Sequence, residues 1–125
     1  MAANANRELA PIKLDMIIAI VERSKTSFYT DLFQIFGSNL QVVTGAKGTA
    51  DTQILDMLGL AEHEQNAIFA IVRADKTEEM MEVLEDRFRR VKNGKGIAMA
   101  VPLSSSIGTL VYGFLTGDER ITAHG

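Results

Sequence analysis

The chain has 125 residues, 46% of them hydrophobic and 23% charged, with a formal net charge of −3 and no cysteine. That size and balance are expected of one soluble globular domain, and the missing thiols exclude disulfides, cysteine nucleophiles and cysteine metal sites. The slight acidity gives no sign of a nucleic-acid-binding face, and the longest apolar run, Met16 to Val21, is too short to span a bilayer.

The opening MAANANRELAP is small and polar, without the charged-then-apolar order of a signal peptide. Residues 1–13 are therefore expected to form a flexible extension, and the protein to be cytoplasmic. LDMIIAIV, Leu14 to Val21, is apolar on both alternating faces, which predicts a strand covered on both sides. In SKTSFYTDLFQIFG, Phe28, Leu32, Ile35 and Phe36 are spaced as a helical stripe, and Gly37, Ser38 and Asn39 end the helix. LQVVTG, Leu40 to Gly45, predicts a second strand. The turn-rich AKGTAD follows, then a short helix over Asp51 to Leu58 with Gly59 just beyond it.

NAIFAIV, Asn66 to Val72, is a third strand apolar on both faces. The stretch after it predicts a long helix: Asp75 and Glu78 have capping-box spacing, and Met81, Leu84, Phe88 and Val91 form the buried stripe. Its acids come early and its bases late, matching the helix dipole, and Asn93-Gly94 suits a left-handed cap. IAMAV, Ile97 to Val101, predicts a fourth strand with large residues on one face and alanines on the other, stopped by Pro102. The tail, residues 104–125, carries Ile107, Leu110, Val111, Tyr112, Phe114 and Leu115, too apolar to stay loose, so it is expected to pack on a neighbour or a partner.

This order predicts an α+β, ferredoxin-like β-α-β-β-α-β domain with an antiparallel sheet. Two long helices lie on one face, and a short extra helix lies between strands two and three. Two helices cover only one face, so the other needs cover, most simply from another copy of the chain.

Catalytic chemistry is hard to find. His63 has only Glu62 and Glu64 beside it, His124 lies near the end, and the acids from Glu78 to Asp86 read as a solvated helix face. Ser104, Ser105 and Ser106 have no histidine near enough in sequence to act as base. No catalytic residue and no metal site is assigned. Two glycine-bearing turns remain: GAKGTA, Gly45 to Ala50, and NGKG, Asn93 to Gly96. Neither is a P-loop. By spacing alone NGKG is a joint between helix and strand, although Lys95 and its glycines also suit an approaching anion.

AKG, Ala46 to Gly48, at the end of strand two, and GKGIAMAVPL, Gly94 to Leu103, entering strand four, resemble the PII signal-transduction proteins and more closely their shortened PII-like relatives. The resemblance runs over residues 14–103. It implies a homotrimer with effector clefts between subunits, each built from Lys47, Gly48 and Thr49 of one subunit and Gly94 and Gly96 of the next. Lys95 stands in the same loop. It further implies an adenine nucleotide effector and a regulated partner such as a transporter or metabolic enzyme.

The chain departs from the family in places. Ile97 stands where those proteins have a triphosphate-binding lysine, and Lys95 where they have aspartate. The arginine pair after strand four is missing, the segment 45–65 has no tyrosine, and Gln53 only lies close to the expected magnesium-holding glutamine. AMP or ADP is therefore expected rather than ATP. The alternative is a ferredoxin-like oligomerisation module without a nucleotide.

Overall fold

The structure, a computed structural model, describes residues 12–47, 52–57, 64–90 and 96–104. In chain order the elements are β1 (Leu14–Glu22), a 3-10 turn (Arg23–Lys25), α1 (Thr26–Ile35), β2 (Leu40–Ala46), α2 (Thr52–Met57), β3 (Gln65–Arg73), α3 (Ala74–Arg90) and β4 (Gly96–Pro102). The strands form one antiparallel sheet in the order β2-β3-β1-β4. This is the split βαβ, ferredoxin-like α+β arrangement that the element order predicts.

Alternation along the strands assigns the two faces. Ile17, Ala19 and Val21 of β1 and Ile68, Ala70 and Val72 of β3 point toward the helices and are fully buried with Tyr29, Phe33, Met80 and Leu84. Each large side chain so removed from water contributes about 1.5–3 kcal/mol. The opposite face carries Met16, Ile18, Phe69, Ile71, Leu40, Val42, Met99 and Val101 in cross-strand register. No described element covers it: Val42 is 55% exposed, Met99 42% and Val101 39%.

The buried stripe of α1 differs from the expected one. Tyr29 and Phe33 face the sheet with Leu32 and Phe36 beside them, while Phe28 flanks the core and Ile35 is 79% exposed. A tyrosine ring is as good a core filler as phenylalanine when its hydroxyl finds a partner. Arg87 supplies one from α3, donating to the phenol. The same guanidinium lies 4.1 Å above the Phe28 ring, and Phe28 meets Tyr29 edge-on at 5.1 Å. Gly37, with φ of 90°, ends α1 as expected: its N–H donates to Gln34 and that of Ser38 to Phe33, the paired bonds of a Schellman cap.

In α3 the fully buried residues are Met80 and Leu84, with Met81 and Phe88 packed at the margin. Val91 and the Asn93-Gly94 cap lie outside the described residues. Asp75 is not the expected cap. The helix already starts at Ala74, and the Asp75 carboxylate accepts two hydrogen bonds from the Arg73 guanidinium, at 2.8 and 3.2 Å. The start of the helix is fixed instead by the Ala74 N–H donating to Lys13 and by Thr77 Oγ1 donating to Asp15 at 2.6 Å. Among the described residues no helix is long and apolar enough to cross a membrane.

Candidate functional site

Of the six residues assigned to a ligand, Lys47 and Gly96 are described; Gly48, Thr49, Gly94 and Lys95 lie outside the described residues. Lys47 follows the last residue of β2 and is exposed. Gly96 opens β4. Both stand at the same end of the sheet, because Ala46 pairs with Gln65, Gln65 with Glu22, and Gly96 with Val21. They occupy opposite edges, however, with β3 and β1 between them. Three strand spacings put the edges about 14 Å apart. One subunit does not bring Lys47 and Gly96 together.

Gly96 has a packing role that the sequence did not reveal. A Cβ there would sit 2.6 Å from the Ile20 carbonyl oxygen and 3.2 Å from two carbons of the Phe88 ring. The glycine is therefore what lets the end of α3 close over the β1–β4 seam. Sequence pattern marks a glycine at a helix-to-strand joint as a turn residue and gives no hint of a ring three-dimensionally above it.

Arg23, also missed, orders the same end of the sheet. Its backbone N–H donates to the Glu64 carbonyl, Nε to Asn66 Oδ1 at 3.1 Å and Nη1 to Glu64 Oε2 at 2.6 Å. Asn66 in turn donates to Thr26 Oγ1 in the first turn of α1. The pair is well exposed, so its contribution to stability is small. Its effect is positional: it holds the start of β3 against the end of β1, one strand in from Lys47.

A groove of about 600 Å³ runs between α3 and β4. Its floor is Met81, Leu84, Phe88, Gly96 and Ala98; Glu78, Glu82, Glu85 and Arg89 form one wall, and Met57 of α2 borders it. The β2–β3 connection thus leaves one edge of the sheet and reaches the groove at the other. Methionine and phenylalanine at the margin of an amphipathic helix look like core in sequence, so this groove was not legible there. Among the described residues no set of three histidine or acidic side chains is placed to hold a metal ion.

No family model matches the sequence, and no curated protein sequence matches it. Solved structures do. CPII from Thiomonas intermedia K12, a nitrogen regulatory PII-like protein, in its form bound to ADP, AMP and acetate, superposes with a TM-score of 0.61 at 17% identity, over 80% of this chain and 93% of that one. Arabidopsis thaliana PII bound to citrate gives 0.55 at 18% identity, over 77% and 82%. A functionally unknown protein from Pediococcus pentosaceus ATCC 25745 gives 0.56 at 12%, over 78% and 98%. The chain has the fold of the PII-like proteins.

Proposed function

We propose that the chain is a PII-like signalling protein: a cytoplasmic homotrimer that takes up AMP or ADP in clefts between subunits and regulates a partner, such as a transporter or metabolic enzyme, without catalysing a reaction itself. The observation that carries this reading is the placement of Lys47 and Gly96. Lys47 and Gly96 lie at one end of the sheet on opposite edges, so a neighbouring copy is what can join them into one anion site. The apolar face that no described element covers supplies a reason to assemble, since strands with such a face bury it against another surface.

In this reading Lys47, Gly48 and Thr49 of one subunit meet Gly94, Lys95 and Gly96 of the next. Backbone N–H groups freed by the glycines and two lysine ammonium groups hold the phosphate. The adenine nucleotides and citrate bound by the similar solved proteins are anions of that kind. The missing arginine pair favours one or two phosphates over three. The steric role of Gly96 favours a second reading, an oligomerisation module in which that glycine serves packing alone.

Calorimetry with AMP, ADP and ATP on the assembled protein separates them. AMP or ADP should bind more tightly than ATP. Lys47→Ala and Lys95→Ala should each weaken binding about tenfold, as expected for one charge-assisted hydrogen bond of about 1.5–3 kcal/mol. Equal affinities in the variants, or no heat with any nucleotide, would leave the oligomerisation module.

A further inference from the structure

Arg23 has donors to spare after it has joined the strand ends. Its guanidinium is fixed at two nitrogens, Nε donating to Asn66 Oδ1 at 3.1 Å and Nη1 to Glu64 Oε2 at 2.6 Å. A guanidinium carries five N–H donors in one plane, and those on Nη2 donate to no described residue. The side chain is half exposed, so an anion has access to it.

Gly45 of β2 shows where Nη2 lies. A Cβ at that glycine would stand 3.5 Å from Nη2, so the guanidinium reaches from the end of β1 across β3 to the backbone of β2. Gly45 pairs with Asn66 on the helix side of the sheet: Val43, two residues earlier, pairs with the buried Ile68, and Asn66 itself donates to Thr26 Oγ1 in α1. Lys47 is two residues beyond Gly45, the spacing that returns an extended chain to the same face, about 6.6 Å further on. Arg23 therefore brings a second cation to the stretch of β2 that leads into Lys47.

We propose that Arg23 is a phosphate-binding residue of the intersubunit site, donating through Nη2 to the anion that Lys47 of the same subunit holds. The inference rests on the proposed function for the identity of the ligand; the part played by the arginine comes from its own geometry. A phosphate seated between Gly45 and Lys47 is within reach of Nη2 and of an ammonium on its flexible four-carbon stem. The planar fork matches phosphate oxygens, and because Nε and Nη1 are already bound, little side-chain freedom is lost when the ligand arrives. The Glu64 carboxylate takes Nη1 and offsets part of the charge. It leaves one nitrogen for the ligand, which suits a single phosphate group rather than a chain of three.

The test is calorimetry with AMP and ADP on the full-length assembled protein. Arg23→Met keeps the stem and removes the donors. It should weaken ADP binding about tenfold, the loss of one charge-assisted hydrogen bond, and should flatten the fall of affinity with added salt, because one charge contact is gone. Arg23→Lys should recover only part of the affinity, since an ammonium lacks the planar fork. Gly45→Val fills the space beside Nη2 and should weaken binding with Arg23 still present. Glu64→Gln breaks the same staple but leaves the arginine, so it should not weaken binding. Circular dichroism and light scattering of these variants should match wild type, because the Arg23–Glu64 pair is exposed. Wild-type affinity and salt dependence in Arg23→Met overturn the proposal and leave the nucleotide reading standing. Equal weakening by Arg23→Met and Glu64→Gln also overturns it, because Arg23 then acts only by holding the strand ends. Should Arg23→Met fail to fold, wild-type affinity in both Arg23→Lys and Gly45→Val overturns it. A wild-type protein that binds neither nucleotide overturns the nucleotide reading and this inference with it.

Discussion

Ile68 and Phe69 are adjacent on β3, yet they lie in different environments. Ile68 points under α1 and α3 and is fully buried; Phe69 points to the face where Val42, Met99 and Val101 are exposed. The two faces are almost equally apolar in sequence. One is closed by the described helices, and the other is covered by no described element. Apolar area on that scale with no cover among the described residues marks a contact surface rather than a fold defect, because the helices already close a core of ten fully buried described residues. Burial on one face stabilises the subunit; burial on the other is available to stabilise an assembly.

The comparison breaks most visibly if a charge is placed on each face. Ile68→Asp puts an unpaired carboxylate into the core and should unfold the protein, losing more than about 3–5 kcal/mol of a typical 5–15. Met99→Asp puts the same carboxylate on the face that no described element covers. Circular dichroism should then remain native, while light scattering should fall from the mass of the proposed trimer, about three times the 13.7 kDa chain mass, to that of one chain. An unfolded Met99→Asp would show that both faces belong to the subunit core, and an unchanged mass would remove the face from the assembly.

Gly96→Ala should have a smaller effect, on stability and not on assembly. The added methyl meets a carbonyl oxygen at 2.6 Å, and the Phe88 ring must move with it. Overpacking of this kind costs about 1–3 kcal/mol, measurable as a lower denaturant midpoint with the slope unchanged. Stability equal to wild type would show that the α3–β4 seam yields freely and that packing does not require a glycine at position 96.

Much of the fold was legible because strands and helices carry different hydrophobic periods. Leu14 to Val21 and Asn66 to Val72 were read as strands and are strands, and Gly37 ends α1 where the sequence places it. What failed was the choice between neighbouring residues on a helix. Tyr29 took the place expected for Phe28 because Arg87, 58 positions away, satisfies its hydroxyl, and no local pattern reports that. Asp75 is not the cap for a partly similar reason: its carboxylate pairs locally with Arg73, while Lys13 and Asp15 of the β1 end, which fix the first turn, meet it only after the sheet has formed. The candidate site was legible as two turns, through family resemblance, and not as a place. That Lys47 and Gly96 share an end but not an edge follows from strand order, which pairing decides.

The α1–α3 seam that closes the covered face should be weaker still to perturb. Arg87 over Phe28 is a half-exposed cation–π contact, worth about 0.5–1 kcal/mol. A double-mutant cycle with Arg87→Met and Phe28→Leu should return a coupling of that size; a coupling of zero would mean that the guanidinium serves only the tyrosine.

Tyr29 gives the smallest effect, invisible at neutral pH. Burial raises its pKa above the ordinary value near 10, and Arg87 partly opposes the rise through its charge and its hydrogen bond. The unfolded chain releases the phenolic proton near pH 10, while the folded chain keeps it to higher pH. The unfolded state thus binds fewer protons in that window, so this residue makes stability fall as pH rises from about 10 toward the folded pKa. Below that window it contributes no slope. Tyr29→Phe should lose the hydroxyl's bond to Arg87 but flatten the alkaline decline, so the two stability curves converge as pH rises. Denaturant midpoints taken across pH 8 to about 11 decide it. Parallel curves would mean that the phenol ionises as readily inside the fold as outside, and that the covered face is open to solvent at its α1–α3 seam.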